Sequence, residues 1–332
     1  MEASTLTMRR TLLVSLVLLF AGNLLGCRGA VTSSTGGEID PPVVLMDSGP
    51  RDPMGDAAAT PAGDAAVPAP DTGTPTPPTG GRDAANVFFV GHSLVNFDMP
   101  AMLDGVAQSA DRRHAWAAHV GIGASLSWIW NNPDRGEGEN PHTALPSGRW
   151  NVLVMTEAIP LADQVMWNDT VGYAQRFHDL AMAGDGASQV YFYETWHSLD
   201  GAYDWRARID SDRAMWDGVV RDLNARTGGR VLMIPGGTAL GRLVDRVESG
   251  GVSGLRSRRD LFVDDIHLSD VGNYFIALVQ YAAIYRRSPV GVTAATVDRW
   301  GNPFTAPSPE AARVMQEIAW EVVSNDPLTG VR

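Results

Sequence analysis

The sequence predicts an α/β fold, a parallel sheet covered by helices on both faces, and three observations predict it. Five short runs, at residues 87–90, 115–120, 152–155, 190–193 and 231–234, are rich in apolar, β-branched and aromatic residues. Stretches with helical patterning lie between and after them, and strands alternating with helices build parallel sheets. About 240 residues remain from position 85 onward, enough for one such domain with a substantial core.

Taken in order, Asn86-Val-Phe-Phe-Val90 is bounded by Gly91 and reads as a buried strand rather than a helix segment. A helix is expected to begin near Met99, with Asp98 as its cap and Pro100 in its first turn. Between the later strands, residues 170–183 and 210–226 have the length and pattern of helices. Two more follow at 271–286 and 309–323. Ser269 or Asp270 is the candidate cap of the first of these, and its Phe275, Ile276, Leu278, Val279 and Ala282 suit burial against a sheet. No internal repeat is visible.

The N-terminal part is of another kind. Met8-Arg-Arg10 and the apolar run 11–21 form the charged and hydrophobic regions of a secretory signal, short for a membrane span. Leu24-Leu-Gly-Cys27 then resembles a bacterial lipobox, whose cysteine is lipidated and becomes the mature N-terminus. Residues 1–26 are therefore expected to be a lipoprotein signal peptide. Arg28 follows the cysteine, which resembles the pattern sorted to the outer membrane. Ten of the 21 prolines fall between Pro41 and Pro78, so residues 27–84 are read as a disordered tether and 85–326 as the folded domain.

Composition narrows the function. The chain has 332 residues and a formal net charge of −12. All 26 of its strongly basic residues are arginine, with no basic stripe among them, so nucleic acid is not an expected partner. Cys27 is the sole cysteine, which excludes an intrachain disulfide. The seven histidines show no metal-ligand spacing, and neither a metal nor a cofactor is expected.

Two segments carry the chemistry. Gly91-His-Ser-Leu94 places Ser93 at the turn where the first strand ends, on the sheet edge where open α/β folds bind ligands. Asp264-Asp-Ile-His267, just before a helix, brings a carboxylate within one tight turn of an imidazole. A serine nucleophile, a histidine base and an orienting carboxylate are the parts that acyl transfer requires. Taken alone, Ser93 is an ordinary turn serine and His267 an ordinary loop histidine. Together, in this order, they resemble the SGNH, or GDSL-like, hydrolase superfamily.

That resemblance covers roughly residues 86–287. It implies a three-layer α/β/α fold with a five-stranded parallel sheet in flavodoxin-like order. It implies catalysis by Ser93, His267 and Asp264, with Asp265 the rival orienter. Val120-Gly-Ile-Gly-Ala-Ser-Leu126 corresponds to the family's glycine block, so the backbone of Gly123, or alternatively Gly121, would join that of Ser93 in an oxyanion hole. The family's third block often supplies an Asn donor, but here Thr156-Glu157 follows the strand. A glutamate donates only when protonated, and Glu157 is expected to enter the cleft.

Three insertions at strand ends are candidate substrate walls, with Trp128, Trp196 and His197 as candidate binding residues and packing anchors as the plain alternative. Glu194 and His197 form a weaker candidate acid/base pair. The expected function is a cell-envelope esterase or deacetylase acting on a small-molecule or glycan ester, a carbohydrate O-acetyl group above all. Its membrane contact would be the lipid anchor. An O-acetyltransferase with the same triad, or a non-catalytic glycan-binding lipoprotein, is the alternative.

Overall fold

The computed structural model describes residues 81–229 and 231–331. The signal segment, Cys27 and nearly all of the tether lie outside the described residues. The first strand, β1 (Ala84–Gly91), leads to α1 (Asp98–Ser109), β2 (Arg113–Val120) and the short α2 (Leu126–Asn131). A two-residue β3 (Glu137–Gly138) and α3 (Pro141–Ala144) precede β4 (Val152–Met155), which is followed by α4 (Leu161–Trp167) and α5 (Thr170–Gly184). Next come β5 (Gln189–Tyr193), α6 (Trp205–Thr227), β6 (Val231–Ile234) and α7 (Gly236–Glu248). The last helices are α8 (Asp270–Tyr285) and α9 (Pro309–Asn325).

The sheet order is β3-β2-β1-β4-β5-β6. Its five long strands are parallel, in flavodoxin-like order, as expected. The sheet has six strands rather than five because Glu137–Gly138 pairs antiparallel with the end of β2, matching His119 with Gly138. A strand of two exposed residues leaves no hydrophobic run to read in a sequence.

Both faces of the sheet are buried. Val87, Phe89, Val154 and Tyr191 pack with α1, α7, α8 and α9 in one core cluster. Phe88, Val90, Leu153 and Phe192 pack on the other side with Leu126, Phe177 and Trp216. Neighbouring strand residues therefore go to opposite cores, which is why the runs 87–90, 152–155 and 190–193 are apolar throughout. Helix α8 lies deepest, with every residue from Gly272 to Tyr285 buried. A helix apolar all round belongs between other elements, and α8 packs against α1, α7 and α9.

Local departures from expectation have local causes. Helix α1 starts one residue earlier than expected, and Asp98 is not its cap. Asn96 does that work: its side-chain oxygen accepts the N–H groups of Asp98 at 2.8 Å and Met99 at 2.9 Å. Ser269, not Asp270, caps α8. Helix α6 begins five residues before the expected 210, because Asp204 accepts from the N–H groups of Arg206 and Ala207. Helix α7 was not expected, since Gly236, Gly237 and Gly241 are poor helix formers; burial of Leu240, Leu243, Val244 and Val247 sustains it. After α9 the chain packs back onto the sheet, where Leu328 accepts the N–H of Met233.

Candidate active site

Ser93 leaves the sheet at the carboxyl end of β1. From that strand the chain goes first to β2 on one side and later to β4 on the other, so Ser93 lies at the switch point where open α/β sheets bind ligands. The turn is tight. A Cβ on Gly91 would stand 2.7 Å from the side chains of both Thr156 and Val95, so only glycine lets β1 pass this close to β4.

Asp264 and His267 sit on a loop before α8. The loop is closed by Val263 N–H to His267 O and Ser269 N–H to Leu261 O, each 2.9 Å. One Asp264 oxygen accepts the N–H groups of Ile266 at 2.8 Å and His267 at 2.6 Å. The other lies 2.7 Å from His267 Nδ1. The three-residue spacing thus lets one carboxylate hold both the turn and the ring. Burial works against the Asp264 charge, but the bonds from His267 and Ile266 outweigh it and hold the carboxyl below its usual value.

An ionised carboxylate can only accept, so Nδ1 of His267 carries the proton and Nε2 presents its lone pair. Nε2 lies 2.9 Å from Ser93 Oγ. The three side chains expected to converge do so, and all three are half-buried and reachable. Asp265 is turned elsewhere: it accepts from Ser198 Oγ at 2.7 Å.

Two asparagines outside every motif, Asn96 and Asn273, join the two halves. Asn96 donates its side-chain amide to Asn273 Oδ1, and Asn273 donates to the carbonyl of Leu268, each at 3.2 Å. The serine turn is thereby tied to the residue next to His267. The signal for Asn96 was a short polar residue just before a helix; for Asn273, a lone amide on an apolar helix. His92, beside Ser93, is buried, and its Nε2 lies 3.0 Å from the Glu157 carbonyl. Burial brings it down to about 4, so it stays neutral and supports the turn.

Past β2, the Gly121 N–H donates to Gly91 O at 2.9 Å and is already used. Gly123 sits at φ +64°, a left-handed conformation that suits glycine. Among the described residues its N–H has no hydrogen-bond partner, and neither has that of Ser93. These are the two backbone donors the sequence singled out.

Four sequence expectations are corrected. Glu157 is fully buried rather than in the cleft. One of its oxygens accepts the N–H groups of Leu126 at 2.9 Å and Ala158 at 2.8 Å, and the other accepts from Thr170 Oγ1 at 3.0 Å. Burial raises its carboxyl, against the pull of these bonds. It anchors the glycine block through Leu126 instead of donating. Thr156 is also buried and donates to Tyr193 O at 2.7 Å. Trp196 is buried, with its Nε1 donating to Ile266 O at 2.8 Å, so it is a packing anchor under the Asp–His loop. His197 is buried against Asp212, Nε2 to Oδ2 2.7 Å, and does not face a ligand.

Trp128 keeps its expected place. It is 38% exposed, and with Ile122, Gly123, Ser125, Gln164 and Asn168 it lines a cleft of about 430 Å³. Gln164 and Asn168 come from α4 and its end, one helical turn apart, and were not singled out in the sequence.

No protein-family model matches the chain, and no characterised protein sequence matches it significantly. Among solved structures it is similar to a DUF4886 family protein from Bacteroides uniformis, with a TM-score of 0.53 and 16% identity over 75% of this chain and 100% of that one. A family 3 carbohydrate esterase of Clostridium thermocellum superposes at a TM-score of 0.39, with 13% identity over 60% of this chain and 94% of that one. The first likeness bears on the fold alone, and the second is too loose to carry an argument. The fold is a three-layer α/β/α sandwich with its serine after β1 and its histidine before α8, the arrangement the SGNH resemblance implies.

Proposed function

We propose that this chain is a serine ester hydrolase. The observation that carries the reading is the continuous relay Ser93–His267–Asp264, at 2.9 and 2.7 Å, with the N–H groups of Ser93 and Gly123 unpaired among the described residues. In this reading Ser93 Oγ attacks the ester carbonyl as His267 Nε2 takes its proton. The tetrahedral oxyanion is held by the N–H groups of Ser93 and Gly123. His267 then protonates the departing alkoxide as the C–O bond breaks, leaving an acyl-serine. Water, deprotonated by His267, attacks that acyl group, and Ser93 recovers its proton as the acid leaves. Asp264 stays ionised throughout and holds the imidazole tautomer.

The finer reading is an O-acetyl ester on a carbohydrate, supported by the exposed Trp128 at the cleft. With Cys27 lipidated, the enzyme would be held at the cell envelope, on the outer membrane; intact-mass analysis of membrane-extracted protein checks this by a lipid adduct on Cys27. The activity is tested with a short-chain nitrophenyl ester. Turnover by the wild type and its loss in Ser93→Ala are expected. A wild-type rate no higher than that of Ser93→Ala leaves the non-catalytic, glycan-binding reading in its place.

A further inference from the structure

The cleft beside Gly123 has a chemistry of its own. None of the groups lining it is charged. One wall is the indole of Trp128, on a helix whose cap, Ser125, accepts the Trp128 N–H at 3.2 Å and fixes the start of the turn. The facing polar groups are two amides. Asn168 Nδ2 donates to Gln164 Oε1 at 2.6 Å, which orients both side chains. Neither the Gln164 amide N–H pair nor Asn168 Oδ1 has a partner among the described residues. The cleft therefore offers one fixed donor and one fixed acceptor beside an aromatic face.

We propose that this cleft is the alcohol-side subsite of the esterase, built for an uncharged, hydroxylated sugar ring that carries the ester, with Gln164 and Asn168 as its specificity-determining residues. The proposal rests on the ester-hydrolase reading. A sugar hydroxyl both donates and accepts, so neighbouring hydroxyls match the open acceptor of Asn168 and the open donor of Gln164 together. The apolar face of the ring lies against Trp128, whose indole contributes area with little entropy to lose. A carboxylated sugar would find no cation among the residues lining the cleft.

Position and size agree. On the ester-hydrolase reading Gly123 donates to the oxyanion, within roughly 2.7–3.1 Å, and a cleft lined by Gly123 then adjoins the scissile bond. A volume of about 430 Å³ falls within the roughly 300–1,000 Å³ of small-molecule sites, far more than an acetyl group fills. A long acyl chain would offer neither amide a hydrogen-bond partner.

The test compares three acetyl esters on the wild type and on the Gln164→Ala, Asn168→Ala and Trp128→Ala variants: an acetylated neutral methyl glycoside, its uronic acid counterpart and nitrophenyl acetate. Nitrophenyl octanoate is the fourth substrate. The wild type should prefer the neutral glycoside to the uronate at least tenfold in kcat/KM. Each variant should lower the ratio of glycoside to nitrophenyl acetate kcat/KM by tenfold or more, chiefly through KM. Equal losses on all esters would make the residues structural and overturn the subsite while leaving the esterase intact. A variant effect confined to the octanoate would replace the sugar by an acyl chain. Absence of turnover on every ester would instead remove the hydrolase reading itself.

Discussion

The choice between two adjacent aspartates decides how the imidazole of His267 is held. Asp264 takes two backbone N–H groups and the ring, whereas Asp265 faces Ser198. Asp264→Asn should therefore let Nδ1 accept from the new amide, placing the proton on Nε2, where it cannot serve as base. A fall in kcat of about 10³–10⁴ is expected from the wrong tautomer. Asp265→Asn should cost less than about tenfold, through a weakened bond to Ser198. Similar losses in both variants, measured with a nitrophenyl ester, would reject the assignment. These residues were legible in the sequence because their geometry is local: one turn closes Asp264 on His267. Glu157 was not, because its direction depends on where Leu126 and Thr170 arrive from distant parts of the chain.

Elements act here by bracing loops. The segment between β5 and α6 holds the Asp–His loop at three points: Trp196 Nε1 on Ile266 O at 2.8 Å, Leu199 N–H on Asp265 O at 2.6 Å, and Ser198 Oγ on Asp265. A tryptophan at a strand end suggests a binding wall from sequence alone; only the fold shows that it lies beneath the Asp264–His267 loop. Trp196→Phe keeps an aromatic ring but removes the donor to a carbonyl in a partly buried setting. A loss of roughly 1–3 kcal/mol follows for a polar group left unpaired. If that loss displaces His267, kcat should fall about tenfold or more with KM nearly unchanged, beside a lower melting temperature. A lower melting temperature with unchanged kcat would confine Trp196 to stability. The parallel strands were legible because both their faces are apolar, while α7 was hidden by its glycines and the two-residue β3 by its brevity.

For the whole molecule, pH acts through buried groups of opposite sign, Glu194 on one side and His92 and His114 on the other. Glu194 joins four elements: it follows β5, accepts the N–H and hydroxyl of Thr238 on α7 at 2.9 Å each, and lies 3.8 Å from Arg213 of α6. Arg213 in turn pairs with Asp326 just after α9 at 2.5 Å. Burial raises the Glu194 carboxyl from 4.5 to about 7, although Arg213 and Thr238 oppose it. The folded state thus holds that proton more tightly than the unfolded chain. Its contribution is present below about 4.5 and is lost as pH rises to about 7. The difference, 7 − 4.5 = 2.5, corresponds to roughly 3 kcal/mol at about 1.36 kcal/mol per pKa unit. His92 runs the other way. Burial lowers it from 6.5 to about 4, so its contribution is present above 6.5 and is lost as pH falls toward 4. That difference is also 6.5 − 4 = 2.5, again roughly 3 kcal/mol. Across their shared range the Glu194 and His92 contributions largely cancel, and His114, lowered by burial to about 4, adds to the side of His92. Glu194→Gln keeps the shape and an acceptor for Thr238 but removes one titration, so the variant should gain on the wild type by roughly 2–3 kcal/mol between pH 5 and pH 8. His92→Asn should show the reverse trend, losing ground to the wild type as pH rises from 4 to 6.5. Urea unfolding at each pH reads both differences, and a Glu194→Gln offset that is the same at pH 5 and pH 8 would refute the linkage.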